Sequence, residues 1–593
     1  MNKSTYGAIA AALLWMPVSA FSQYVPGTPA PAIPLPTELT DTKPVDEALW
    51  NKLKAPYNSA WGSTDLHYSL KNVPTEGVSK SPVAKVKAWK GERVNLLALL
   101  YTTVGAPDVT PRVSELKGPG KAVIPAEDVT TGFLHYVMTD QINHDGLTGC
   151  GHRPDHSLYD SLMVADAIDP RPVADIAPRT TRPLWVSVDV PRDAAPGVYR
   201  ATLSFGDDKK FKPLAIEISV GRNALPSGHD RKFALDLWQH PYSVARVYNV
   251  ELWSPEHFAA MEETFRPLAE MGQKCITATV THAPWGGQTE DHFDSMVSRT
   301  RELDGSWSFN YDVFDQWVEF MMGIGIDEQI NCYSLIPWKM EFPYYDRASN
   351  TMKTIETSVG TPEFHDYWLP FLKDFAAHLK EKGWFDITTI AMDERALSDM
   401  QKGIALIREA DPDYKIALAG NYHPEIEPDL YDYCIALAQT FPDDVLADRK
   451  NRGLKSTVYT CCSEGFPNTF TCSEPAEAEW LPIYAASKDF DGYLRWAFNS
   501  WVANPLSDSR FRTWAAGDCY LIYPGGRSSV RLEKLNEGIQ DFEKIMILRE
   551  KYANNPAKLA KINKMLEKFV VKDLPTTPAS ATLPQVRELL NTL

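Results

Sequence analysis

The sequence predicts a multidomain chain of mixed β and α/β class, an N-terminal antiparallel β-sandwich followed by a (β/α)8 barrel. Three observations carry this. Short β-like runs broken by Gly, Pro and Asp fill residues 61–228, with few amphipathic helices among them. After Gly228 the texture changes to apolar strand-like runs alternating with helical stripes. Eight such alternations fit into about 300 residues, the number that closes a barrel.

Along the chain, "MNKSTYGAIAAALLWMPVSAFSQ" joins Lys3 to an apolar core and small residues, and predicts a secretory signal peptide over 1–22. Export to a periplasmic or extracellular space follows. No cysteine precedes Cys150, so an N-terminal lipid anchor on cysteine is not expected. Residues 23–60 are rich in Pro and Thr ("VPGTPAPAIPLPTEL"), a composition that favours an extended leader. In 61–228, "PLWVSVDVPRDAAPGVYRATLSF" sets two alternating runs on either side of a turn at Pro191–Gly197, and "FKPLAIEISV" adds another strand. The expected part of this domain is to pack beside the barrel and complete its architecture, glycan binding being the alternative.

Residues 229–593 are read as the barrel with C-terminal helices. Its expected strands are Phe233–Leu237, Ile276–Val280, Gln329–Tyr333, Ile387–Met392, Ile416–Ala419, Tyr433–Leu437, Thr457–Thr460 and Tyr493–Phe498. Trp368, Leu372, Phe375 and Leu379 form a helical stripe ended by Gly383, and Leu397, Met400, Ile404 and Ile407 another stopped by Pro412. After the last strand, Leu535, Ile539, Phe542 and Met546 share one helical face. An open doubly wound sheet lacks its fingerprint: "GIGIDE" has no third glycine and "KGPGKAV" is no phosphate loop.

Composition narrows the partners. An apolar share of 44% with 17 Trp and 25 Tyr is too rich for disorder and suits flat ligand faces as well as cores. A formal charge of -17 without a Lys/Arg cluster argues against nucleic acid. No stretch after the signal offers about 18 uninterrupted apolar residues, so stable membrane insertion is not expected. The 8 cysteines are sparse for a disulfide framework and most read as small buried hydrophobes, with one local bridge available among Cys461, Cys462 and Cys472. No pattern has zinc-ligand spacing, and neither a metal nor a cofactor is expected.

Chemistry collects at the predicted strand ends, where barrel active sites lie. "TTIAMDERAL" runs its strand straight into Asp393 and Glu394. Successive strand residues face opposite ways, so both acids reach one site only if the ladder has ended or a bulge intervenes. Two close carboxylates in a partly dry pocket do not both ionise easily, and one is thereby kept as a proton donor. Glycosidic cleavage requires this division of acid and negative charge. His240, Trp338, Asn421, Tyr459 and Trp496 lie at other strand ends and are the expected lining of a sugar pocket, rings on the sugar face and polar tips on hydroxyls. No G-x-S-x-G elbow, H-E-x-x-H helix or acidic calcium loop competes.

Together the sandwich-then-barrel order, the Asp393-Glu394 pair after "TTIAM", the "DGYLRWAFNSW" strand and the closing "RLEKLNEGIQDFE" resemble glycoside hydrolase family 123. The resemblance covers nearly the whole mature chain. It implies an exo-acting β-N-acetylgalactosaminidase that retains configuration through substrate assistance, the sugar's 2-acetamido oxygen attacking the anomeric carbon to give an oxazolinium. On that pattern Asp393 orients the acetamido nitrogen, and Glu394 protonates the leaving oxygen and later activates water. The implied partner is a glycan or glycoconjugate ending in β-linked N-acetylgalactosamine. The alternatives are a β-N-acetylglucosaminidase, another glycosidase on the same fold, or a catalytically silent glycan-binding protein.

Overall fold

The computed structural model describes residues 24–141, 150, 161–206 and 209–593, so the expected signal peptide lies outside the described residues. The chain falls into two compact units. One holds the segment up to Pro34 with Gln239–Ala269 and Cys275–Ala417, and the other Leu35–Trp238, Glu270–Lys274 and Leu418–Leu593.

The second unit carries the sandwich. One sheet runs in the order Tyr57–Gly62, Arg93–Thr102, Thr180–Asp189, Val129–Asp140, Ser161–Asp169. The other is built on Val83–Lys90, Leu214–Ala224 and Gly197–Ser204. The turn at Pro191–Gly197 therefore carries the chain from one sheet to the other instead of closing a hairpin. Alternation explains the core between them: Leu96, Ala98, Leu100, Val186 and Val188 of the first sheet meet Leu203, Ile216 and Ile218 of the second. The pairing is antiparallel except for Val83–Lys90 on Leu214–Ala224, which is parallel.

All eight expected barrel strands are present: β1 (Ala234–Leu237), β2 (Cys275–Thr279), β3 (Gln329–Tyr333), β4 (Thr388–Met392), β5 (Lys415–Gly420), β6 (Asp432–Ala436), β7 (Lys455–Tyr459) and β8 (Gly492–Arg495). Their order, β1-β8-β7-β6-β5-β4-β3-β2, keeps chain neighbours side by side throughout, and a single parallel bridge from Leu235 to Gln273 stands at the seam. An open doubly wound sheet would reverse its order midway. β2, β3 and β4 are buried at every position, which is why they read as continuous apolar runs and not as alternating ones.

Helix α1 (Pro362–Lys382) starts where the Thr361 hydroxyl accepts from Phe364 N–H, with Pro362 in the first turn, and stops at Gly383 in the left-handed region at φ 74°. Its buried stripe includes Trp368, Leu372, Phe375 and Leu379. Helix α2 (Leu397–Ala410) buries Met400, Ile404 and Ile407 and ends before Pro412. Helix α3 (Val530–Lys551) departs from the one-faced helix expected of it, because its polar side is buried as well. Its buried cations are paired, Arg531 with Asp166 at 2.9 Å, Lys534 with Asp65 at 2.8 Å and Lys544 with Glu92 at 2.7 Å, while the Glu543 carboxylate accepts from Phe233 N–H at 2.8 Å.

The first unit also contains a four-stranded sheet that the sequence reading missed, in the order Trp307–Asn310, Ser298–Arg301, Glu341–Asp346, Thr351–Glu356. It lies within the β2–β3 and β3–β4 connections. Thr351–Glu356 is almost wholly exposed, so it carries no apolar alternation to betray it.

Candidate active site

Strand β4 ends at Met392, and Asp393 and Glu394 stand in the loop that leads to α2. The ladder has ended before the pair, so strand alternation does not force the two carboxylates to opposite sides. Their surroundings differ. Asp393 is 7% exposed whereas Glu394 is open to solvent.

Both oxygens of Asp393 are held. Trp338 Nε1–H donates to Oδ2 at 3.0 Å, and the Arg395 guanidinium donates to Oδ1 at 3.3 Å. The same guanidinium lies 4.0 Å over the Trp338 ring and donates from Nε to the Ile336 carbonyl at 3.2 Å. Burial pushes the Asp393 carboxyl above its ordinary range; Arg395 and the indole N–H act against that, and the charge of Glu394 adds to it.

The support behind this cluster comes from the ends of β2 and β3. Trp338 N–H donates to the Pro284 carbonyl at 2.8 Å, which ties the β3 loop to the β2 loop. Next to it the Trp285 ring packs 5.4 Å from Tyr333 and 4.7 Å from Phe293. His282 and Asp294, both half exposed, share a 2.9 Å hydrogen bond that raises the imidazole above its ordinary value.

Of the five residues expected to line a sugar pocket, Trp338 touches Asp393 and is itself 45% exposed, so its indole is open to a ligand. His240 is fully buried: its ring stacks 3.6 Å from Phe293, Nδ1 accepts from Ser243 N–H to cap the next helix, and Nε2 donates to the Asp291 carbonyl at 3.1 Å. Asn421, Tyr459 and Trp496 belong to the other compact unit. Asn421 follows β5 and is exposed, Tyr459 closes β7 and is buried, and Trp496 follows β8. There the Trp496 Nε1–H donates to Asp518 at 3.1 Å, and its ring meets Trp514 edge-on at 6.0 Å. Asp518 is in turn buried against Arg495 at 2.6 Å.

Sequence reasoning missed Arg395. Its signal was its place, the residue directly after an acidic pair that needs a counter-charge. It also missed the disulfide Cys150–Cys462, which spans 312 residues, whereas the sequence offers only a possible local bridge among Cys461, Cys462 and Cys472. Cys461, Cys462 and Cys150 are the candidate metal-type cluster among the described residues, and the disulfide takes two of its three sulfurs.

A parallel barrel with a buried and an exposed carboxylate at a strand end, beside an indole, has the frame of a carbohydrate hydrolase. Family comparison agrees. The descriptions "Glycoside hydrolase 123, catalytic domain" and "Glycoside hydrolase 123 N-terminal domain" match residues 238–548 and 61–206. The chain belongs to glycoside hydrolase family 123. Among solved structures, a family 123 glycoside hydrolase from Clostridium perfringens, described for glycolipid glycan hydrolysis, is similar at a TM-score of 0.80 and 25% identity, over 91% of this chain and 98% of that one. A β-glucuronidase of Parabacteroides merdae, at 8% identity, a TM-score of 0.29, and 76% of this chain against 50% of that one, is too distant to carry an argument. Comparison with curated proteins gave no match.

Proposed function

We propose that this family 123 hydrolase is an exported, exo-acting, retaining glycosidase that releases terminal β-linked N-acetylgalactosamine by substrate assistance. The observation that carries the reading is the unequal pair at the end of β4, Asp393 buried and held at both oxygens beside an exposed Glu394.

In the first step Asp393 accepts the acetamido N–H, which makes the acetamido oxygen more nucleophilic and steadies the charge that spreads over the amide. That oxygen attacks the anomeric carbon, the glycosidic bond breaks, and Glu394 gives its proton to the leaving oxygen. In the second step the Glu394 carboxylate takes a proton from water as water attacks the same carbon and reopens the oxazolinium. Two inversions retain configuration. A carboxylate nucleophile would need its acid partner about 5 Å away across the bond, and adjacent residues serve adjacent atoms of one sugar more naturally.

Trp338 is the proposed stacking face for the sugar. His240 supports the site by capping its helix and backing Phe293. Export, assigned to residues 1–22, is supported by the Cys150–Cys462 bond, which suits an oxidising space. Among the described residues no helix is long and apolar enough to cross a membrane. The action of the Clostridium relative on glycolipid glycans makes a glycolipid the first natural substrate to try.

The test is nitrophenol release by the purified mature protein from the β-N-acetylgalactosaminide and, in parallel, the β-N-acetylglucosaminide. Preference for the first is expected. Equal rates would make it a general hexosaminidase, and sugar binding without cleavage of either would favour a silent binding protein.

A further inference from the structure

Arg395 is the residue that touches both neighbours of the reaction centre. Its guanidinium donates to Oδ1 of Asp393, lies 4.0 Å over the ring of Trp338, and is itself anchored through Nε to the Ile336 carbonyl. Trp338 closes the triangle by donating to Oδ2 of the same carboxylate. A planar, five-donor cation can do these three things at once, whereas an ammonium has neither the plane nor the fork.

Resting on the substrate-assisted reading above, we infer that Arg395 is a positioning residue: it sets the Asp393 carboxylate for the acetamido N–H and holds Trp338 in place beside it. A carboxylate oxygen has two lone-pair directions, so Oδ1 and Oδ2 each keep one for substrate while the clamp uses the other. The clamp therefore orders the acid without consuming it. Asp393 is also surrounded by opposing influences, since burial and the neighbouring Glu394 charge favour its neutral form, and Arg395 and the Trp338 N–H favour the ionised form that must accept the acetamido proton donor. Among the described residues, Arg395 and Glu394 are the charged groups that act on it most strongly.

The test is a double-mutant cycle on kcat/KM with pH profiles, using the nitrophenyl β-N-acetylgalactosaminide and the wild type, R395Q, R395K, D393N and R395Q/D393N. In R395Q the acidic limb should move to higher pH, because a buried carboxylate that loses its cation is protonated more easily, and the rate should fall by about 30-fold or more. R395K should keep the limb near its wild-type place and recover part of the rate. If Arg395 acts through Asp393, R395Q should cost less than about threefold in the D393N background.

An unmoved acidic limb in R395Q, or a loss as large with D393N as without it, would overturn the inference and leave the proposed reaction standing. Should R395Q not fold, the same cycle with R395K decides, an additive loss again counting against the proposal. A wild type that cleaves no 2-acetamido glycoside would instead remove the underlying reading, and the inference with it.

Discussion

Trp338 Nε1–H donates to Oδ2 of Asp393 over 3.0 Å, a bond that joins the loop after β3 to the loop after β4 across 55 residues of sequence. It makes one residue both the partner of the buried acid and, being 45% exposed, an open aromatic face. Replacing Trp338 by Phe removes the donor and keeps a ring. A hydrogen bond to a charged group contributes about 1.5–3 kcal/mol, so kcat/KM should fall by about 10- to 100-fold, mostly in kcat, with the acidic limb of the profile moving up. Trp338→Ala should add a rise in KM from the lost face. A Phe variant with wild-type kcat and limb would show that the bond plays no part in turnover.

Asp393→Asn keeps the shape and removes the charge that steadies the acetamido group. The expected loss is on the order of 10²–10³-fold on the 2-acetamido glycoside, the scale of deleting one preorganised electrostatic contact. On a substrate with a 2-hydroxyl in place of the acetamido group the change should be slight. Equal losses on both substrates would speak against assistance.

Glu394→Gln removes the proton donor. With a poor leaving group the rate should drop by about 10²–10⁴-fold, the usual contribution of general acid catalysis. A dinitrophenyl leaving group needs little protonation, so bond cleavage should be largely spared there and the remaining loss should sit in the water step. Steady-state and burst kinetics with both leaving groups separate these outcomes, and a loss independent of leaving group would place the acid elsewhere.

Glu477 makes a pH prediction for stability. Burial pushes its carboxyl up to about 8, although Asn468 N–H donates to it at 2.8 Å and Glu474 N–H at 3.3 Å. The folded value lies above the unfolded one, so the fold favours the protonated form. Stability from this group is intact below about pH 4.5 and declines as pH rises toward 8. Glu477→Gln cannot ionise. It should equal or trail the wild type near pH 5 and gain on it by about 1–3 kcal/mol near pH 8. Denaturant titrations at the two pH values check this, and parallel pH curves would contradict it.

Much of the fold was legible in the residues because barrel strands are buried on both faces and appear as short apolar runs between amphipathic stripes. All eight strands were located this way, with ends displaced by at most three residues, as in Gly492–Arg495 against an expected Tyr493–Phe498. Helix termination was equally local: Gly383 ends α1 as its place after the stripe implies, while the Thr361 cap and Pro362 at the helix start came from the structure. The Asp393-Glu394 pair was legible for the same reason, as two acids at the end of an apolar run.

What only the tertiary structure decided is which distant groups meet. Periodicity reports whether a residue faces a core but not whose core it is, so the runs around Pro191–Gly197 gave no sign that they join different sheets. His240 and Trp338 look alike as strand-end aromatics, yet packing buries the first under Phe293 and leaves the second open over Asp393. The partners of Lys534 on α3 and of Cys462 lie hundreds of residues away, at Asp65 and Cys150. Short-range pattern determines an element through its own backbone and burial. Long-range contacts depend on the whole arrangement of elements, and it is there that Arg395, Trp338 and Asp393 become one site.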